Sequence, residues 1–200
     1  GPGSNGEGKA LKSILHPAGE VEIWIAAGGP LNISLAAEVA DGWLPMGSGP
    51  EAQVALEKGW AKRGGRPDDF DMFGNVTIEI TDDVQAAIDS KKPVTGMYVG
   101  GMGSRENNFH KDAMARRGFP EAAQRIQDLW LAGRKDEAIA AVPDEYIDMG
   151  SLMGSADRVR ERWDEVAMKP DITGLTVRAN TDEGYVIAAE MTGARDRIGN

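Results

Sequence analysis

The sequence predicts an α/β fold built on a parallel sheet, and three observations carry that reading. Short runs rich in β-branched and aromatic residues alternate with longer segments of helical periodicity. Glycine and proline mark the junctions, as in Gly28-Gly29-Pro30 and Gly64-Gly65-Arg66-Pro67. The first strand-like run is apolar nearly throughout, as a strand covered on both faces should be. Strands alternating with helices imply parallel pairing and right-handed crossovers. A doubly wound sheet and a piece of a barrel satisfy this pattern equally well.

The first strand is expected over residues 21–27, ending at Gly28-Gly29-Pro30. A helix follows over 31–40, with Leu31, Leu35, Ala36 and Val39 on one face. Pro30 stands at its start, where a fixed φ suits the first turn. Residues 43–46 form a short second strand, and 51–63 a helix with Val54, Leu56 and Trp60 as its apolar positions. The third strand, 75–81, sets Val76, Ile78 and Ile80 against Thr77, Glu79 and Thr81 on the opposite face. Asp82 or Asp83 caps a helix ending near Ser90. Residues 91–154 depart from the repeat and read as a helical insertion. Within it a helix starts after Gly118-Phe119-Pro120, with Ala123, Ile126, Leu129 and Trp130 on one face, and a shorter one covers 136–142. Gly100-Gly101-Met102-Gly103 is expected to be a flexible stretch of the insertion. Ser155 caps a helix over 157–168 whose charges form a solvated face, and 173–179 and 183–191 supply a last strand and helix. The expectation is therefore four strands.

Composition narrows the function. The 200 residues carry 22 Lys+Arg against 32 Asp+Glu, a formal net charge of −10. That balance argues against a nucleic-acid binder or a protein held on anionic membrane by a basic patch. There is no cysteine, so disulfides, thiolate metal sites and cysteine nucleophiles are excluded. The two histidines, His16 and His110, lie far apart in sequence and do not read as a zinc site. No apolar run reaches the roughly 18 residues of a membrane span. A soluble, cytoplasmic protein is expected. Gly1-Pro2-Gly3-Ser4 reads as the remnant of a cleaved tag, and residues 1–20 as a loose lead-in to a domain over 21–200.

Several stretches carry a family resemblance. They are Ile23-Trp24-Ile25-Ala26-Ala27-Gly28-Gly29-Pro30, Ala36-Ala37-Glu38-Val39-Ala40-Asp41-Gly42-Trp43-Leu44-Pro45, and Tyr98-Val99-Gly100-Gly101-Met102-Gly103-Ser104-Arg105-Glu106-Asn107-Asn108-Phe109. Arg125-Ile126-Gln127-Asp128-Leu129-Trp130 and Gly154-Ser155-Ala156-Asp157-Arg158-Val159 continue the series. In this order they resemble the luciferase-like monooxygenase superfamily, nearest to its coenzyme F-420-dependent oxidoreductases. The resemblance implies a partial TIM (β/α)8 barrel, about strands five to eight with a helical insertion and the N-terminal half absent, since a whole barrel takes about 250 residues. It implies an enzyme that moves a hydride between the deazaflavin of coenzyme F-420 and an organic small-molecule substrate; FMN is the alternative cofactor, in a monooxygenase. The family's proton-transfer residues lie in the absent half, so the catalytic residues are unknown.

In similar proteins the turn after the first of these strands holds the phosphate of the coenzyme tail. That role passes here to Ala26, Ala27, Gly28 and Gly29, where backbone N–H groups and a helix start favour an anion. An ordinary strand-to-helix turn is the plainer alternative. Met46 and Ser48 follow the second strand and would line the substrate pocket. Arg105, in the insertion, would meet an anionic substrate group; an ordinary loop and a solvated charge are their plainer readings. Open strand edges imply a homodimer, or association with the N-terminal half. A reading of a different class is a non-catalytic fragment that self-associates.

Overall fold

The computed structural model describes residues 16–45, 50–168 and 172–194. Three strand–helix units open the chain: β1 (Trp24–Ala27) with α1 (Pro30–Val39), β2 (Gly42–Pro45) with α2 (Pro50–Arg63), and β3 (Asp71–Ile80) with α3 (Val84–Gly101). The helices α4 (Phe109–Arg116), α5 (Pro120–Leu131), α6 (Lys135–Ala140) and α7 (Asp144–Asp148) follow. The chain returns to the sheet through β4 (Leu152–Gly154), α8 (Ala156–Glu161), α9 (Trp163–Val166), β5 (Gly174–Ala179) and α10 (Asp182–Met191).

All pairings in the sheet are parallel, as the alternation predicts. β1 pairs with β2, β2 with the start of β3, and β5 runs along β3 from Phe73↔Gly174 to Ile78↔Ala179. Successive N–H groups of a strand point to opposite edges. The Asp71 and Thr81 N–H groups donate to Asp41 and Gly154, whereas the Ile80 N–H donates to Asn180 beyond β5. β4 therefore continues the edge that β2 begins, and β5 occupies the other.

Five strands are present among the described residues, not four. β4 was absorbed into the expected helical insertion because three residues show no period. Its Leu152 and Met153 are fully buried, and Gly154 sits at φ 126°, where any Cβ is strained. The helix expected to end near Ser90 runs on to Gly101 with Pro93 inside it. Gly100 and Gly101 are thus helical, not a flexible stretch. A Cβ on either would fall 2.5 Å from Trp130 atoms, so the bare backbone is what lets α5 lie against α3. The expected 157–168 helix breaks into α8 and α9 at Arg162. Its charges are not all solvated: Arg158 and Arg162 both pair with Asp148 of α7, at 3.0 and 2.9 Å, and tie the insertion to the sheet.

The largest correction concerns α1. Leu31, Leu35 and Val39 are exposed, Leu31 by 83%, while Ile33, Ser34, Ala36 and Ala37 are buried. The cause lies in α2. A Cβ on Gly59 would come within 2.1 Å of the Ser34 carbonyl oxygen and 2.6 Å of the Ala37 Cβ, so the two helices meet backbone to backbone. Only small residues fit that seam, and the large apolar residues of α1 turn outward. Val54 of α2 likewise faces out, while Ala52, Ala55, Leu56 and Trp60 pack inward.

One face of the sheet is helix-covered. Met72 packs with α1 and α2, and Val76, Ile78, Leu175, Val177 and Ala179 pack with Trp163 and Ile187. Asn75, Thr77, Thr176 and Arg178 alternate with these and are exposed on the other face. The expected split of Val76 and Ile78 from Thr77 is thus present.

Candidate active site at the C-terminal ends of the strands

The Ala26–Gly29 turn stands where expected, at the C-terminal end of β1 and the start of α1. Ala27 is buried, Ala26 is exposed, and Gly28 and Gly29 are half-buried. A Cβ on Gly29 would meet nothing within 4 Å, so the approach to the helix start is open. Pro30 occupies the first turn, and Gly29 brings no side chain to take the first-turn N–H groups. No acidic residue stands in that turn. Among the described helices, each of the others has a side-chain cap or a carboxylate in its first turn, for example Asp83 at α3 or Glu121 at α5. Neither a side-chain cap nor a first-turn carboxylate therefore offsets the N-terminal dipole of α1.

The residues Asp41, Gly42 and Trp43 explain how this turn is held. The Ile23 N–H donates to the Asp41 carboxylate at 2.8 Å, and the Asp41 N–H donates to the Ile23 carbonyl at 2.9 Å. Gly42 makes room for Trp24, whose ring would lie 2.7 Å from any Cβ there. At the other end the buried Trp43 indole N–H donates to the Ala27 carbonyl at 3.0 Å. One short motif thus fixes both ends of β1 and aims Gly28 and Gly29.

The other expected site residues fare differently. Met46 and Ser48 lie outside the described residues. Arg105 is exposed and faces Asp128 of α5 at 3.6 Å, on the helical insertion. His110 packs on Tyr98 with ring centroids 4.6 Å apart, and burial pushes its pKa down. Residues not expected at the site lie on the open sheet face. Thr77 stands beside Arg178 and Asn75 beside Thr176 in the β3–β5 register. Trp24 meets Phe73 edge-to-face at 4.7 Å near the other end of that face. Period-two alternation of polar residues in 75–79 was the available signal; that Arg178 belongs beside them needed the register.

The sequence matches the luciferase-like monooxygenase family over residues 4–169. The chain belongs to that family. Among its relatives is a Mycobacterium tuberculosis protein assigned by its name to the coenzyme F-420-dependent oxidoreductases. It is 38% identical over 193 residues, which is 92% of this chain and 54% of the relative. The 5,10-methylenetetrahydromethanopterin reductase of Archaeoglobus fulgidus is 28% identical, over 80% of this chain and 52% of its own. Two solved structures agree in fold. The coenzyme F-420-dependent tetrahydromethanopterin reductase of Methanopyrus kandleri superposes with a TM-score of 0.59 at 26% identity, covering 86% of this chain and 49% of that one. An F-420-dependent secondary alcohol dehydrogenase, solved with an F-420–acetone adduct, gives 0.59 at 15% identity, over 89% of this chain and 50% of its own, a likeness of fold alone. This luciferase-like chain spans about half the length of the curated relatives it matches. No described helix is long and apolar enough to cross a membrane.

Proposed function

We propose that this chain is the part of a coenzyme F-420-dependent oxidoreductase that grips the coenzyme's tail, and that its strands are the later strands of a (β/α)8 barrel. The observation that carries the reading is the β1–α1 turn: a helix start with no side-chain cap and no acid in its first turn, open at Gly29, in a chain with a relative named for this coenzyme. The sequential neighbours β1, β2, β3 and β5 suit barrel strands five to eight, with α3–α7 as the insertion and β4 as an addition to it.

The residues present fit an anionic tail. First-turn N–H groups of α1 would hold a phosphate, Gly28 and Gly29 would let it approach, and Trp43 would keep the turn in place through the Ala27 carbonyl. When bound, the coenzyme would supply the hydride chemistry at its deazaflavin ring. The protein's share at this site is binding and orientation.

Titration of the chain with coenzyme F-420, followed by the coenzyme's fluorescence, tests this. Saturable binding that Gly28→Val weakens about tenfold or more is the expected result. No binding, or binding indifferent to Gly28→Val, would overturn the assignment of the turn.

The reading also proposes association. Among the described residues β1 pairs on one side only, and Leu31, Leu35 and Val39 form an exposed apolar stripe on α1. A second copy, or the remaining strands of the barrel, would cover them. Light scattering should show a dimer or larger species that Leu31→Gln with Leu35→Gln dissociates; a monomeric parent chain refutes it.

A further inference from the structure

We propose that Arg178, with Thr77 and Thr176 beside it on the open face of the sheet, is a second anion-binding point. It would take a carboxylate or phosphate group of a ligand bound at the strand ends, apart from the β1–α1 turn. The proposal rests on the reading of this face as the lining of a ligand-binding barrel.

Arg178 is exposed, and among the described residues no carboxylate is paired with it. This is notable in a chain with a ten-charge acidic excess. The carboxylate nearest in register is that of Glu79, two residues beyond Thr77 on the same strand face, and it is engaged by Lys91 of α3. The guanidinium is thus left with its charge uncompensated although an acid stands diagonally opposite. Its neighbours are also unspent. The side chains of Asn75, Thr77 and Thr176 make no hydrogen bonds within the described residues.

The two ends of β5 differ sharply from this middle. Below it, the Thr173 hydroxyl donates to Asp71 at 2.8 Å and accepts from the Met72 N–H at 2.9 Å. Above it, Asn180 accepts from the Ile80 N–H at 2.9 Å and donates to its carbonyl at 3.1 Å. Polar groups at the ends of the β3–β5 pair are consumed by the fold, and Asn75, Thr77, Thr176 and Arg178 between them are held at fixed register with no partner among the described residues. A guanidinium fork flanked by hydroxyls matches the planar or tetrahedral oxygens of a carboxylate or phosphate. Covering this face would desolvate the charge, so an anion on it becomes necessary to offset the cost. β5 and β1 are three strand spacings apart, about 14 Å along the sheet. One phosphate cannot serve both points.

The source of the anion is either the organic substrate or the acidic part of the coenzyme. The test follows the Thr77 backbone N–H resonance, beside Arg178 in the register and present in every variant, during titration of the labelled chain with inorganic phosphate and, separately, with coenzyme F-420. Phosphate is expected to shift that resonance saturably in the parent and in Gly28→Val. Arg178→Gln should abolish saturation, and Arg178→Lys should restore part of it. If Arg178→Gln also weakens coenzyme binding about tenfold, the coenzyme is the source; if it leaves coenzyme affinity unchanged, the substrate is. If the parent binds phosphate at Arg178 but no coenzyme, the anion point stands and the coenzyme reading fails. A non-saturating phosphate response at Thr77, or one that vanishes in Gly28→Val, would overturn the proposal.

Discussion

The α1–α2 pair and the α3–α5 pair both close over glycine, and they do so in opposite ways. In α3–α5 the glycines are a floor for a large side chain: Gly100 and Gly101 lie under Trp130, and the apolar stripe of α5 points inward. In α1–α2 the glycine brings two backbones together, and the large apolar residues of α1 point outward. The size of a side chain therefore does not decide which face of a helix is buried. The approach distance of the partner does.

The contrast can be broken most strongly in the insertion. Ile126 is fully buried in its cluster, and Ile126→Ala should cost about 2–5 kcal/mol; urea melts would show it as a lower midpoint, and a loss well under 1 kcal/mol would mean that this core collapses freely. Gly59→Ala should come next, at about 1–3 kcal/mol, because the added methyl meets a backbone carbonyl that cannot move independently of its helix. If Gly59→Ala is neutral in the same melts, the close seam is wrong.

A smaller effect is expected from pH. The folded pKa of His110 lies below its unfolded value because burial disfavours the imidazolium. The stability it contributes is complete above about pH 6.5 and falls as the pH drops through that value. Thermal melts between pH 7.5 and 5 should show a decline that His110→Gln reduces; an unchanged pH slope would refute it. The smallest effect is Ser34→Ala. Its hydroxyl is buried in the α1–α2 seam with no hydrogen-bond partner among the described residues, so replacing it should be neutral or slightly stabilising. A clear loss of stability would show that the hydroxyl is bonded after all.

Legibility followed the same division. The inward stripe of α5 and the alternation of Val76 and Ile78 against Thr77 were readable because a single period ran long enough to count. β4 was not, since three residues carry no period. The continuation of α3 past Pro93 was hidden by a residue that costs a helix interior about 3 kcal/mol; burial of Val99 and close packing at Gly96, Gly100 and Gly101 accompany it. At the site, the Gly28-Gly29 turn was visible as a junction, but Arg178 was not visible as its companion.

By itself the sequence determined the alternation of strand and helix, the parallel sheet, the turn after β1 and the family. Those depend on local period, on turn residues and on motifs that lie close together in the chain. Only the tertiary structure decided which face of α1 is buried and which polar residues stand together on the open sheet face. Thr77 and Arg178 are neighbours through a register between strands about a hundred positions apart. A one-residue slip would send each side chain to the other face, and it is the packing of Val76, Ile78, Val177 and Ala179 against the helices that holds the register.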